Sequence, residues 1–368
     1  MIKKEFFAAA QQLAEERNIS VEDVYEIFKK ALENSYKKEF GNTSCRIEIK
    51  PEKFAIFIYS VRKVVEAYTV KNEDEEELDT EVKPEDNIAE ILLEDAKKIK
   101  ASAKVGDVIE WQENVKDFGR TSILASKSIT NQGVRTKQRE LAYEHFKDYE
   151  NEMVTAEIAN ITEKFLILDL GYGATATLPK TELANGETAE IGKTISVYIK
   201  SVEQTNKEPK ITVSRSEKNL VIRLMEKYIP EIADGTIEIK GIARDAGDRT
   251  KIAIYSTDNN VDAIGSCVGE GGTRIRDVVN ALGGEKIDLY KWSENPEELI
   301  TNSLQPANVT KVLSIDPKTK SSVVVVPDAH LSLAIGKAGQ NVRLAVQSCG
   351  YKIDIIPVSV AYERGDLI

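Results

Sequence analysis

One supersecondary unit occurs twice in this chain, and that repetition limits the possible folds more than any other feature. The stretch DAIGSCVGEGGTRIRDVVNALGGEKIDLYKW at 262–292 carries Gly269 and Gly272, and VVVVPDAHLSLAIGKAGQNVRLAVQSCGYKIDI at 323–355 carries Gly336 and Gly339. Both glycines move by 67 residues, from 269 to 336 and from 272 to 339, and Val268 with Arg276 map onto Ile335 with Arg343 at the same offset. Lys286, Ile287 and Asp288 answer to Lys352, Ile353 and Asp354 at an offset of 66, so one residue has slipped in the loop before the closing strand. A unit repeated in this way is a folding module, and it has to be settled before any single motif is interpreted.

The chain has 368 residues, 41% of them hydrophobic, which is enough for two to four domains rather than one core. Its longest uninterrupted aliphatic run, Val323 to Val326, is far too short to span a membrane. The N-terminus, MIKKEFFAAAQQLAEERN, turns polar too early for a signal peptide, so a cytoplasmic location is expected. Cys45, Cys267 and Cys349 are widely spaced and His145 and His330 are the two histidines, a set from which neither a disulfide framework nor a zinc site can be built. No metal or cofactor is expected. The net charge of −11 is concentrated between Lys71 and Asp95, where twelve acidic residues and two lysines give −10, a segment that reads as a solvated face. The remainder is close to neutral, which leaves local basic patches free to act on a docked polyanion within a Debye length.

Residues 5–17 and 21–39 read as amphipathic helices, the second opened by Ser20 with Asp23 three residues on. CRIEIK, FAIFIYS and KVVEAYTV alternate as strands; a further strand falls at Val108 to Trp111, and a helical pattern runs from Ser122 to Tyr149. This makes an α+β head at 1–130 and a charged linker helix at 131–150. Five short strands within residues 151–216 predict a small closed barrel. An order of α-β-β-α-α-β then occurs at 217–293 and again at 294–361, before a tail at 362–368.

A Gly-x-x-Gly turn between two helices lets backbone approach a ligand without Cβ atoms in the way, and the following helix offers amides and a positive dipole end. Gly269, Gly272, Gly336 and Gly339 are therefore candidate phosphate contacts. Arg274, Arg276, Lys337 and Arg343 supply cations beside them, and Gln340 and Asn341 supply donors. An apolar groove lined by Leu331, Ala334, Ile335 and Ile353 would receive splayed bases of single-stranded RNA. A lone GxxG turn would be a helix junction and nothing more; two copies in one element order favour the ligand reading. Both units resemble KH modules in the bacterial, type II arrangement, in which the helix precedes the hairpin. The preceding barrel, through ITEKFLILDLGYGATATLP and KITVSR, resembles the OB-fold of ribosomal protein S1. Phe165 and Tyr172 are its candidate stacking aromatics, with a core role for Phe165 as the alternative, and Lys200, Lys210 and Arg215 are its candidate phosphate partners.

The succession of head, S1-type barrel and two adjacent KH modules resembles the NusA family of transcription termination and antitermination factors. The most specific stretches are DFGR at 117–120, PEIADGTIEIKGIARDAGDRTKIAI at 230–254, GSCVGEGGTRIRDVVNALGGEKID at 265–288 and LSLAIGKAGQNVRLA at 331–345. The resemblance implies a monomer that docks through its head on RNA polymerase, holds emerging single-stranded RNA with barrel and KH modules, and modulates pausing, termination and antitermination beside other elongation factors. Two departures matter. The sequence stops at Ile368, without the acidic C-terminal repeats of some relatives, so constitutively available RNA binding is expected, and Glu270 puts an acid inside the first loop. The rival readings are an RNA-degrading enzyme and a ribosome-associated RNA-binding protein. Against the enzyme, the head contains neither a phosphate-binding glycine loop nor aspartates spaced for paired metals.

Overall fold

The computed structural model describes residues 3–40, 45–68, 89–113, 120–183, 186–205 and 208–367. Most of the acidic segment, 71–88, and residues 117–119 of the DFGR stretch lie outside them. The chain divides into two compact units, Met1–Ala142 and Tyr143–Ile368.

In the first unit, α1 (Lys3–Arg17) and α2 (Val21–Phe40) precede β1 (Cys45–Lys50), β2 (Ala55–Val65), β3 (Glu90–Leu92), α3 (Leu93–Ile99) and β4 (Val108–Gln112). The long helix α4 (Arg120–Lys147) begins here. Ser20 opens α2 as its sequence context suggests: its Oγ accepts from the Asp23 amide at 3.0 Å and donates to the Asp23 carboxylate at 2.7 Å. Gly133 lets α4 cross α2 closely, because a Cβ there would overlap Ile27 Cγ2. FAIFIYS and the opening of KVVEAYTV, read from sequence as separate strands, share one strand, β2, which ends at Val65. No glycine or proline interrupts their alternation, and successive parts of β2 find different partners: Ala55–Ser60 with β1, Tyr59–Lys63 with β4 and Lys63–Val65 with β3.

In the second unit, β5 (Met153–Ile161), β6 (Phe165–Gly171), β7 (Ala174–Pro179), β8 (Thr194–Glu203) and β9 (Lys210–Ser214) close a barrel in the order β5-β6-β7-β9-β8. Alternate residues such as Leu166, Leu168, Val197 and Ile199 fill its interior. The first repeat follows as α5 (Lys218–Tyr228), α6 (Pro230–Ala233), β10 (Ile237–Asp245), β11 (Arg249–Ser256), α7 (Ala263–Val268), α8 (Thr273–Ala281) and β12 (Lys286–Lys291). The second comprises α9 (Pro296–Ser303), β13 (Lys311–Asp316), β14 (Ser321–Val326), α10 (Leu331–Ile335), α11 (Gln340–Cys349) and β15 (Lys352–Pro357), and α12 (Val358–Glu363) follows it.

Each repeat builds a three-stranded sheet in which the first two strands form an antiparallel hairpin and the third returns parallel to the middle one. The helices cover one face. On α5, Leu220, Val221, Leu224 and Met225 recur at helical spacing, all fully buried with Ile252 and Ile254 of β11. The short helices α6 and α12 were not foreseen. Proline begins α6, and each is a single turn or little more, too short for periodicity to betray.

The two repeats are welded face to edge. A Cβ on Gly241 of β10 would overlap the Ser348 carbonyl at the end of α11, so only glycine admits this approach. Tyr290 donates to Ser348 Oγ at 2.9 Å, and the fully buried Lys251 donates to the Gln305 carbonyl at 2.7 Å. Burial pushes the Lys251 ammonium down to about 8.

Candidate nucleic-acid interface

The two Gly-x-x-Gly loops have the same backbone. Gly269 and Gly336 sit at φ/ψ of 73°/172° and 79°/172°, and Gly272 and Gly339 at 75°/21° and 74°/15°. The third position is also left-handed in both, at Gly271 (φ 60°) and at Ala338 (φ 50°). In each loop the second glycine donates to the carbonyl of the first, at 3.0 and 3.1 Å, so one hydrogen-bonded turn is built twice. What differs is the residue after the first glycine. Glu270 exposes a carboxylate where Lys337 exposes an ammonium.

The structure assigns different jobs to the polar residues that follow. Arg274 and Asn341 occupy equivalent places, and both turn back on the module. Arg274 Nη1 donates to the Ser266 carbonyl at 2.9 Å and to the Glu231 carboxylate at 2.8 and 2.9 Å. Asn341 is buried, with Nδ2 within 3.1 Å of the Leu304 and Ala334 carbonyls and 3.4 Å of that of Leu333, the counterpart of Ser266. These side chains tie the loop to the helix before it, so the Asn341 amide is not a ligand donor. The ion pair with Arg274 also holds the Glu231 carboxyl below its usual range. Arg276 is exposed and donates to the Gly271 carbonyl at 2.9 Å, bracing the first loop. Arg343, equally exposed, reaches Asp245 of the first repeat at 2.5 Å, and Gln340 reaches Asp245 and Asp248 at 3.1 and 2.7 Å. The residues beside the second loop thus already rest on the acidic hairpin turn of the first repeat.

On the barrel, Phe165 is 41% exposed, so its ring is not core. Tyr172 is 50% exposed at the apex of a turn in which Gly171, Tyr172 and Gly173 all have positive φ. They do not form one stacking platform: Phe165 pairs with Pro179 at one end of the β6–β7 hairpin, and Tyr172 lies at the other. One face of the Tyr172 ring is taken by His145, 4.0 Å away between centroids. Lys200 and Lys210 are exposed and lightly paired, with Glu217 at 3.7 Å and Glu203 at 3.2 Å, partners that a phosphate can replace. Arg215 is a correction to the sequence reading. It is 2% exposed, and its guanidinium donates to Glu187, to the Ser196 carbonyl at 2.8 Å and to the Ala281 carbonyl at 2.7 Å. Its donors join the barrel to the first repeat instead of facing a ligand.

Four family models match in the order of these parts: the NusA N-terminal domain over residues 5–140, the S1 RNA binding domain over 147–214, the NusA-like first KH domain over 215–292 and the NusA-like second KH domain over 296–363. Over 365 residues the chain is 39% identical to the transcription termination/antitermination protein NusA of Halalkalibacterium halodurans, covering 99% of this chain and 91% of that one. The chain belongs to the NusA family. The NusA proteins of Bacillus subtilis and Thermus thermophilus are 38% and 36% identical, over 99% and 96% of this chain and 94% and 89% of their own.

Within this NusA-family chain, the apolar groove also needs redrawing. Ala334 and Ile353 belong to the buried core of the second KH module, whereas Leu333 and Ile335 of α10 are the exposed apolar side chains next to the loop. Sequence periodicity missed Leu333, because a five-residue helix does not establish which side faces out. It also missed Asp245, Asp248 and His145, whose relevance arises from partners 27 to 98 residues away, as the spacing of Asp245 from Arg343 illustrates.

Proposed function

We propose that this chain is a transcription termination and antitermination factor that holds single-stranded nascent RNA on its S1 barrel and KH loops while its head docks on RNA polymerase. The observation that carries the RNA part is the identity of the two loop backbones, each opening onto a helix, with Lys337, Arg343 and Arg276 exposed beside them. Lys200, Lys210 and Phe165 extend the same chemistry onto the barrel. The polymerase part rests on the match of the head to the NusA N-terminal domain and on the name shared by the relatives. Among the described residues no helix is long and apolar enough to cross a membrane, and we place the protein in the cytoplasm, as a monomer on the transcription machinery beside other elongation factors. The readings as a nuclease or a ribosome-associated protein are not favoured by relatives that carry a transcription name over nearly the whole chain.

The deciding experiment adds the purified full chain to polymerase transcribing a template with a hairpin pause and an intrinsic terminator. Longer pauses, altered termination and co-purification with polymerase are expected. Recovery of ribosomes instead, or metal-dependent loss of the transcript, would replace this reading with one of its rivals.

A further inference from the structure

The outer face of the first KH sheet, opposite helices α7 and α8, is only partly covered by the second module. Gly241, Ala253 and Tyr290 lie beneath Ser348, Leu299 and Cys349. One row further along, Tyr255 of β11 and Trp292 after β12 meet edge to face, with centroids 5.5 Å apart and planes at 82°, and Tyr255 is exposed. The Lys240 ammonium stands over both rings, 5.5 and 5.6 Å from their centroids, and also pairs with Glu238 on the surface. Lys240 sits at the bulge of edge strand β10, and there it lines a cleft of about 410 Å3 with Gly241, Lys218 of α5 and the Gln347–Gly350 end of α11. Among the described residues lining this cleft there is no carboxylate.

A paired aromatic surface, a cation poised between it and a nucleotide-sized cleft, and a second lysine across that cleft suit one kind of ligand. We propose that the outer face of the first KH sheet is an additional single-stranded RNA site, separate from both Gly-x-x-Gly loops. A base stacks on the exposed ring of Tyr255, with the half-buried Trp292 at right angles beside it, and the adjoining phosphate takes the place of Glu238 at Lys240 and reaches Lys218. The site deepens the RNA-binding reading and rests on it. Its position at the seam between the two KH modules gives the RNA strand a foothold off the loops.

The chain contains two tryptophans, so Trp111→Phe in the full-length protein leaves Trp292 as a reporter. Titration with a short 5′-labelled oligoriboadenylate, following tryptophan emission and label anisotropy together, is expected to quench Trp292 saturably. Lys240→Gln, which leaves both rings in place, and Tyr255→Leu should each weaken the quench about fivefold or more, the order of effect of losing one stacked base or its cation. Lys337→Glu should lower total binding and spare the quench. Anisotropy without quenching overturns the outer-face site and leaves the RNA-binding reading standing; the absence of both overturns both. A quench abolished by Lys337→Glu but indifferent to Lys240→Gln and Tyr255→Leu assigns the signal to the loops and sinks the proposal. AMP alone quenching with equal affinity overturns the RNA assignment in favour of a free nucleotide.

Discussion

Positions 270 and 337 are one place in two copies of the same turn, so a charge difference between them can be tested inside a single protein. With matched backbones, Glu270 opposes an approaching phosphate and Lys337 attracts it, a contrast worth on the order of 1 kcal/mol or less per exposed contact. Glu270→Lys should therefore tighten binding of a short RNA several-fold and steepen its salt dependence by about 0.7 in log–log slope, while Lys337→Glu should weaken binding more than any single change in the first loop. Arg274 engages Glu231 and Arg276 engages the Gly271 carbonyl, so neither takes its orientation from Glu270. Unchanged or weaker binding by Glu270→Lys at two salt concentrations would refute the repulsion. The glycines give a second comparison. A Cβ on Gly336 meets the Asn341 backbone nitrogen at 2.7 Å, whereas on Gly269 it meets the Arg274 stem, Cγ at 2.8 Å, which can shift at the expense of its hydrogen bonds to Glu231 and the Ser266 carbonyl. Both substitutions carry the strain of a positive φ, but Gly336→Ala should cost at least about 1 kcal/mol more in chemical denaturation than Gly269→Ala, since backbone cannot yield as a side chain does. Equal losses would show that the neighbours do not matter.

Helix α11 illustrates why element-level reading succeeded in outline and failed in detail. Its existence, start and amphipathic character follow from QNVRLAVQSC after a glycine, but the fate of each polar side chain is set by what packs against it. Asn341 turns inward to carbonyls, Gln340 and Arg343 reach across to the first KH module, and Ser348 lies on Gly241. No local pattern encodes these partners. The same is true of Arg215, where KITVSR looks like a basic strand end until Glu187 and Ala281 arrive from elsewhere. The hairpin β6–β7 is different: counting seven residues from Phe165 to Gly171 would have shown that Phe165 and Tyr172 end up far apart. At the seam between the KH elements, Lys251 offers a titration. Its proton is bound more weakly folded than unfolded, so between about pH 8 and 10.5 the unfolded chain holds more protons and stability rises with pH. Relative to Lys251→Met, the wild type should gain up to about 3 kcal/mol across that range in denaturant unfolding. A difference independent of pH would mean that the ammonium is not confined as described.

At the scale of the whole chain, the order of modules was legible because each has its own periodicity: helices and a mixed sheet, then short even strands, then a repeated α-β-β-α-α-β unit. The repeat was the clearest of these, since it could be checked against itself. If polymerase docking and RNA holding reside in separate units, a fragment beginning at Tyr143 should bind single-stranded RNA with the salt slope of the full chain and have no effect on pausing. Starting there keeps His145 against Tyr172. Full pausing activity by that fragment would show that the division is wrong. The weld between the KH modules has a consequence of another kind. With Gly241 pressed against Ser348 and Lys251 locked to Gln305, the two loops cannot slide past each other, so together they act as a caliper of fixed jaw width. If both loops hold one strand, affinity plotted against oligomer length should climb in a step where the strand first reaches both jaws, and a Gly241→Val chain, with its jaws prised apart, should lose the step while keeping the grip of either loop alone.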